Sequence, residues 1–164
     1  MSLALSLQTF VSVSRSDDPA VKGSFTALGD IESIEITPRP EYKIHKGPTL
    51  TGRRRKYMVP IGAEMDVSFT LTELSGFAWE RIFLTDALTM TGDQTYTPMD
   101  VGAPWQGWVR FVQRDGAGTQ RNAVDLFCVV TVDPVSQGPD EISLNVKCEV
   151  LDSALNTGSL SSLE

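Results

Sequence analysis

The side chains from which catalysis would be built are few in this chain, and their spacing does not assemble a reaction centre. His45 is the single histidine of the 164 residues, and it lies in a proline-rich stretch far in sequence from Cys128 and Cys148. A nucleophile-base pair needs a histidine or an equivalent base beside an activated serine or cysteine. No second His or Cys stands at ligand spacing from His45, so it reads as a loop side chain rather than a metal ligand. Neither G-x-x-x-x-G-K-[ST] nor G-x-G-x-x-G occurs, and Gly116-Ala-Gly118 is explained by a turn. Carboxylates are numerous but spread, and only tertiary structure decides whether two converge as an acid-base pair. The expectation is a protein that is no enzyme and takes no cofactor or metal.

The densest chemistry is electrostatic. Arg53, Arg54, Arg55 and Lys56 stand in a row and Tyr57 follows them. Three readings fit such a run. It is a solvated tip, because exposed charges need no partner. It is a nucleic-acid patch, although no RNA-binding aromatic motif accompanies it and the chain carries 21 acidic against 14 basic side chains, a net charge of −7. Or it docks on the acidic surface of another copy. A single exposed ion pair contributes only about 0–1 kcal/mol, so docking requires repetition around an oligomer or apolar contacts beside the charges.

The elements that position these groups are mostly strands. Residues 63–85 hold the clearest signal, since Val67, Phe69 and Leu71 alternate with Asp66, Ser68, Thr70 and Thr72, the period of a strand buried on one face. Leu74, Ala78 and Ile82 then recur at helical spacing, widened by Phe77 and Phe83, and leave Glu80 and Arg81 to the solvated side or an interface. Further strand patterns fall at residues 5–13, 22–27, 31–37, 57–61, 108–114, 122–132 and 141–151. In the last, Ser143, Asn145, Lys147 and Glu149 oppose an apolar face of Ile142, Leu144, Val146, Cys148 and Val150. A Gly-rich turn at 115–119 between two β runs predicts a hairpin. Both cysteines fall on the apolar phase of their strands and read as buried free thiols.

Hydrophobic residues at 41% and charged ones at 21% describe a globular chain, long enough for one domain with a real core. No window supplies the roughly 18 apolar residues of a membrane helix. Residues 1–19 alternate like an arm or edge strand and do not resemble a secretory signal. Residues 38–56 hold three prolines and seven basic side chains besides His45, and are expected to form a long projecting loop. Residues 20–152 form the β-domain, with a helix at 75–85, and residues 153–164 form an unpatterned tail. The fold expected from these patterns is mainly β and antiparallel, with one short α-helix.

This order of strand, long loop, long strand, short helix, hairpin and final strand resembles the major tail protein, or tail tube protein, of long-tailed bacteriophages. The similarity covers about residues 20–152. It is carried by Ile34-Glu-Ile-Thr-Pro38, by Glu64-Met-Asp-Val-Ser-Phe-Thr-Leu-Thr-Glu-Leu74 feeding Ser75-Gly-Phe-Ala-Trp-Glu-Arg-Ile-Phe-Leu84, and by Ile142-Ser-Leu-Asn-Val-Lys-Cys-Glu-Val-Leu151. The resemblance implies an antiparallel β-sandwich or half-barrel with one flanking α-helix, assembling as hexameric rings stacked into a tube that conducts DNA, located in the virion tail and assembled in the host cytoplasm. Its implied partners are other copies of itself, a tape measure protein, a tail terminator and a baseplate or tip. It also implies that the loop at 38–56 reaches the adjacent ring, which makes Arg53 to Tyr57 an inter-ring docking element. The run of three arginines is no part of the family pattern.

DNA must pass such a tube without sticking, so the lumen should be polar and net negative. Asp66, Ser68, Thr70, Thr72, Ser143, Asn145, Lys147 and Glu149 are the candidate lining, with ordinary solvent exposure of one set as the alternative. Leu74, Phe77, Ala78, Ile82 and Phe83 are the candidates for pinning the helix to the sheets. The competing functions are a tube protein of a secretion or contractile injection apparatus and a monomeric β-sandwich binding module of a virion.

Overall fold

The computed structural model describes residues 8–49, 52–72, 76–84, 97–99, 105–133 and 143–160. Its elements follow in the order β1 (Gln8–Arg15), β2 (Thr26–Thr49), β3 (Gly52–Leu71), α1 (Gly76–Ile82), β4 (Gln106–Arg114), β5 (Gln120–Val132), β6 (Leu144–Val150) and β7 (Thr157–Leu160). The fold is mainly antiparallel β with a single short helix among the described residues. Its pairings return to their start: β1–β2, β2–β3, β3–β6, β6–β5, β5–β4 and β4–β1. The expected sandwich or half-barrel thus takes the form of a ring of paired strands, and closure leaves those ladders without an open edge. Gln8–Arg15 lies inside this ring, not in an arm or edge strand, because Val11 and Val13 are buried in the barrel.

Period-two alternation drives the closure. Val67, Phe69 and Leu71 of β3 meet Val146 and Leu144 of β6, Phe111 of β4 and Val130 of β5 in one buried cluster. Phe69 and Phe111 pack edge to face at 5.6 Å and 77°, the geometry the ring quadrupoles favour. Cys128 and Cys148 are free thiols in the same interior. Their mutual hydrogen bond, then burial, pushes the Cys148 thiol well above its ordinary range.

Phe77 and Ala78 bring α1 into this cluster, with Phe77 edge-on to Trp105 at 5.3 Å. Ile82 packs against it half-buried, Phe83 stacks on Trp79 along the helix at 5.5 Å, and Leu74 lies outside the described residues. Glu80 and Arg81, expected on the solvated side or at an interface, are buried within the subunit. Glu80 Oε1 accepts from Arg81 Nη2 at 3.2 Å and from Arg15 Nη1 at 3.4 Å. Burial of a carboxylate is tolerable when cations surround it, and β1 supplies one that no helical periodicity could reveal.

Outside the barrel Trp108 stands opposite Phe127, both buried. The β1–β2 connection covers them: Trp108 Nε1 donates to Val21 O at 2.8 Å, and Lys22 Nζ sits 5.0 Å over the indole. Residues 151–156 brace the same side. Asn156 Oδ1 accepts from Phe127 N at 2.8 Å while its Nδ2 donates to Leu151 O at 2.9 Å. The chain then adds β7 to β5, so the expected tail is strand over Thr157–Leu160.

The largest departure is at residues 38–56. In place of an irregular loop, β2 and β3 pair continuously from Pro38↔Met65 out to Thr49↔Gly52. Among the described residues no strand but β3 pairs with β2 beyond Asp30, and none but β2 pairs with β3 beyond Asp66. The result is a two-stranded ribbon about 40 Å long at ~3.3 Å per residue. Proline is tolerated there because Pro38, Pro40 and Pro48 are separated by even numbers of residues. All three turn the missing N–H to the same unpaired outer edge, where no ladder bond is lost.

A candidate assembly surface on the barrel wall and ribbon

The polar phases of β3 and β6 lie on one face because these strands are paired in register. Asp66 stands opposite Glu149, Ser68 opposite Lys147 and Thr70 opposite Asn145. Thr72 and Ser143 extend the two rows just past the strand ends and are exposed. All eight residues proposed from sequence therefore share one outer wall of the barrel, and the interior behind it is filled by Val67, Phe69, Val146 and Cys148.

Two further strands complete this wall. Glu35 pairs with Ser68 and Thr37 with Asp66 on the β2 side, and Thr131 pairs with Lys147 on the β5 side. Two shallow depressions of about 380 and 330 Å³ share Glu35, Ser68 and Lys147 in their walls, so they form one trough along the sheet. Four carboxylates (Glu35, Asp66, Asp133, Glu149) stand along it against two cations, Arg39 and Lys147. Arg39 pairs with Asp66, and Lys147 Nζ lies 2.8 Å from Asp133 Oδ1. Thr70 Oγ1 donates to Asn145 Oδ1 at 2.9 Å. The charged groups along the trough sum to a net negative charge, and among the described residues that line it Arg39 and Lys147 are the only cations, both paired with carboxylates. Sequence reasoning overlooked Glu35, Thr37, Arg39, Thr131 and Asp133, although the alternation of Ile34 and Ile36 with Glu35 and Thr37 carried the signal for β2.

The opposite wall differs in sign. Arg110 holds Asp125 through two bonds of 2.7 and 2.9 Å, and Lys22 Nζ reaches the same carboxylate at 2.8 Å. The Arg110 hydrogen bond, opposed by burial and aided by Lys22, holds the Asp125 carboxyl below the usual carboxylate range. Arg110 also lies 3.9 Å over the Phe25 ring.

The ribbon continues both faces of the barrel wall. The register shifts at Glu41/Tyr42 and His45/Lys46 place their extra residues, Ile61 and Lys56, in β3, so β2 alternates without interruption from Ile34. Glu35, Thr37, Arg39, Glu41 and Lys43 extend the polar face. Ile36, Pro38, Pro40, Tyr42 and Ile44 extend the face that fills the barrel interior, with Ile36 48%, Tyr42 47% and Ile44 40% exposed. The backbone of Arg53, Arg54, Arg55, Lys56 and Tyr57 belongs to the distal part of β3, and their side chains lie outside the described residues.

Among the described residues no group of three or more His, Cys, Asp or Glu is placed to hold a metal ion, and no helix is long and apolar enough to cross a membrane. No protein-family model matches the chain, and a search of curated proteins returns no significant match.

Proposed function

We propose that this protein is the structural subunit of a phage tail tube, assembling into stacked hexameric rings that conduct DNA during infection. The observation that supports this most is the four-strand polar wall of β2, β3, β6 and β5. The barrel interior is packed with apolar side chains, so a conduit can be built only between copies, from outer walls. A wall with four carboxylates against two cations, both cations already paired with carboxylates, repels a phosphate backbone and offers it few counterion-releasing contacts. At physiological salt the screening length is about 8 Å, so only side chains near the channel are felt by DNA, and a lining of this composition suffices whatever the rest of the surface carries.

The ribbon with Arg53, Arg54, Arg55 and Lys56 serves in this reading as the element that reaches the neighbouring ring. Other tail components, including a tape measure, a terminator and the baseplate or tip, are its remaining partners, and the virion tail is its location. Negative-stain electron microscopy of the concentrated protein tests the reading: rings or tubes are expected, and a field of isolated monomers at every concentration contradicts it.

A further inference from the structure

We infer that β7 is an open docking edge for an extended acidic peptide of another protein, which adds to it as a further strand and places its carboxylates in the depression that holds Arg110 and Arg114. The site lies on the wall opposite the acidic trough and does not depend on self-assembly. β6 and β7 share one edge of β5, β6 along Cys128–Val132 and β7 along Asn122–Asp125. β6 is closed on its far side by β3, whereas among the described residues β7 pairs with β5 alone. Proteins blunt such edges with charge, proline, a bulge or short length. Thr157-Gly-Ser-Leu160 has only the last of these, and all four residues are exposed, Leu160 at 83%. An edge in that state offers backbone N–H and C=O groups at the spacing of another extended chain.

Charge selects the composition of the peptide. β7 forms one bank of a depression of about 490 Å³ on the outer wall of the barrel, lined by Ser12, Arg110, Arg114, Gln120, Thr157 and Ser159 among others. Arg110 and Lys22 both bind Asp125, and Lys22 Nζ also reaches Thr157 Oγ1 at 3.5 Å. Arg114 lies 6.0 Å over the Phe10 ring and pairs with no carboxylate among the described residues. Three cations against the single carboxylate of Asp125 give this face a formal +2 on a chain of net −7. It therefore attracts carboxylates and repels basic side chains. A strand added to β7 turns alternate side chains towards the depression, so one acidic row serves both the edge and the cations. Duplex DNA would engage the cations but leave the N–H and C=O groups of the edge unmatched.

Fluorescence anisotropy with a labelled octapeptide of alternating glutamate and valine tests this against its fully backbone-N-methylated form, a lysine-valine octapeptide and a duplex oligonucleotide. The acidic peptide is expected to bind wild type saturably and to weaken as salt rises from roughly 0.05 to 0.5 M. Arg114→Glu, at an exposed site, is expected to keep the wild-type circular dichroism and to bind the peptide about tenfold more weakly. The N-methylated and basic peptides are expected not to bind, and the acidic peptide is expected to shift the wild-type amide resonances of residues 157–160. No binding of the acidic peptide at about 1 mM, equal binding of its N-methylated form, undiminished binding to folded Arg114→Glu, or shifts confined to another face overturns the inference. Tighter binding of the oligonucleotide at these residues, or self-association through them without peptide binding, overturns it in favour of that occupant. If Arg114→Glu fails to fold, the N-methylated peptide and the wild-type shifts decide.

Discussion

Asp66 and Glu149 face each other directly across the β3–β6 ladder, two carboxylates on one outer wall. Like charges in that relationship destabilise a sheet. Arg39 engages Asp66 from β2, so only one member of the pair is compensated by a described neighbour. Replacing Glu149 with Gln is therefore expected to stabilise the isolated subunit by about 0.2–1 kcal/mol, read as a higher urea midpoint at unchanged slope. A lower midpoint would show that Glu149 has a stabilising partner.

Acid should weaken the fold through two carboxylates. Arg110, against the pull of burial and helped by Lys22, lowers the Asp125 pKa; the Thr119 amide, with Arg121 and Ala117, lowers that of Asp115. Each folded-state pKa lies below its unfolded value of about 4. The stability they contribute is fully present above that value and is lost as pH falls through the folded-state pKa. Unfolding midpoints should be insensitive to these groups near neutrality and fall below about pH 4. Asp125→Asn should lower stability at neutral pH and flatten the acid decline; an unchanged decline in both Asp125→Asn and Asp115→Asn contradicts the assignment.

At Gly107 β4 lies too close to the backbone of β1 to admit a side chain. A Cβ there would stand 2.3 Å from Ser14 O and 2.9 Å from Arg15 Cα, both backbone atoms that cannot swing aside. Gly107→Ala is expected to cost about 1–3 kcal/mol and to lower the thermal midpoint, whereas Gly116→Ala, with nothing within 4 Å, should be close to neutral. Equal effects at the two sites would mean that β1 does not close the barrel as described.

Where local alternation and burial agree, the fold is legible from sequence. β3 to Leu71, the α1 stripe of Phe77 and Ala78, and the hairpin turn at Asp115, whose carboxylate accepts from Ala117 N and Thr119 N, all follow from period and turn chemistry. The ribbon was hidden because its prolines suggest a loop, although β2 keeps its alternation as far as Ile44. Burial of Glu80 was hidden because its partner Arg15 is 65 residues away. Of the candidate site, β3 and β6 each announced a polar face. That the two faces adjoin, and that β2 and β5 widen them into one wall, depends on strand order, which no local signal carries.

The ribbon's distal charges lend themselves to a separate test. Changing Arg53, Arg54 and Arg55 to Glu reverses three of the six cations in residues 41–60, and is expected to abolish polymerisation while leaving the circular dichroism of the subunit intact. Assembly at wild-type concentration would remove the docking role of this run.

The central claim is most directly tested by a cryo-electron microscopy reconstruction of the particles that the concentrated protein forms. The account predicts six-fold rings around an open channel, with Asp66, Ser68, Thr70, Asn145, Lys147 and Glu149 on the channel wall. Particles that are only monomers, or rings whose channel is lined by the Arg110 and Asp125 side of the barrel instead, would contradict it.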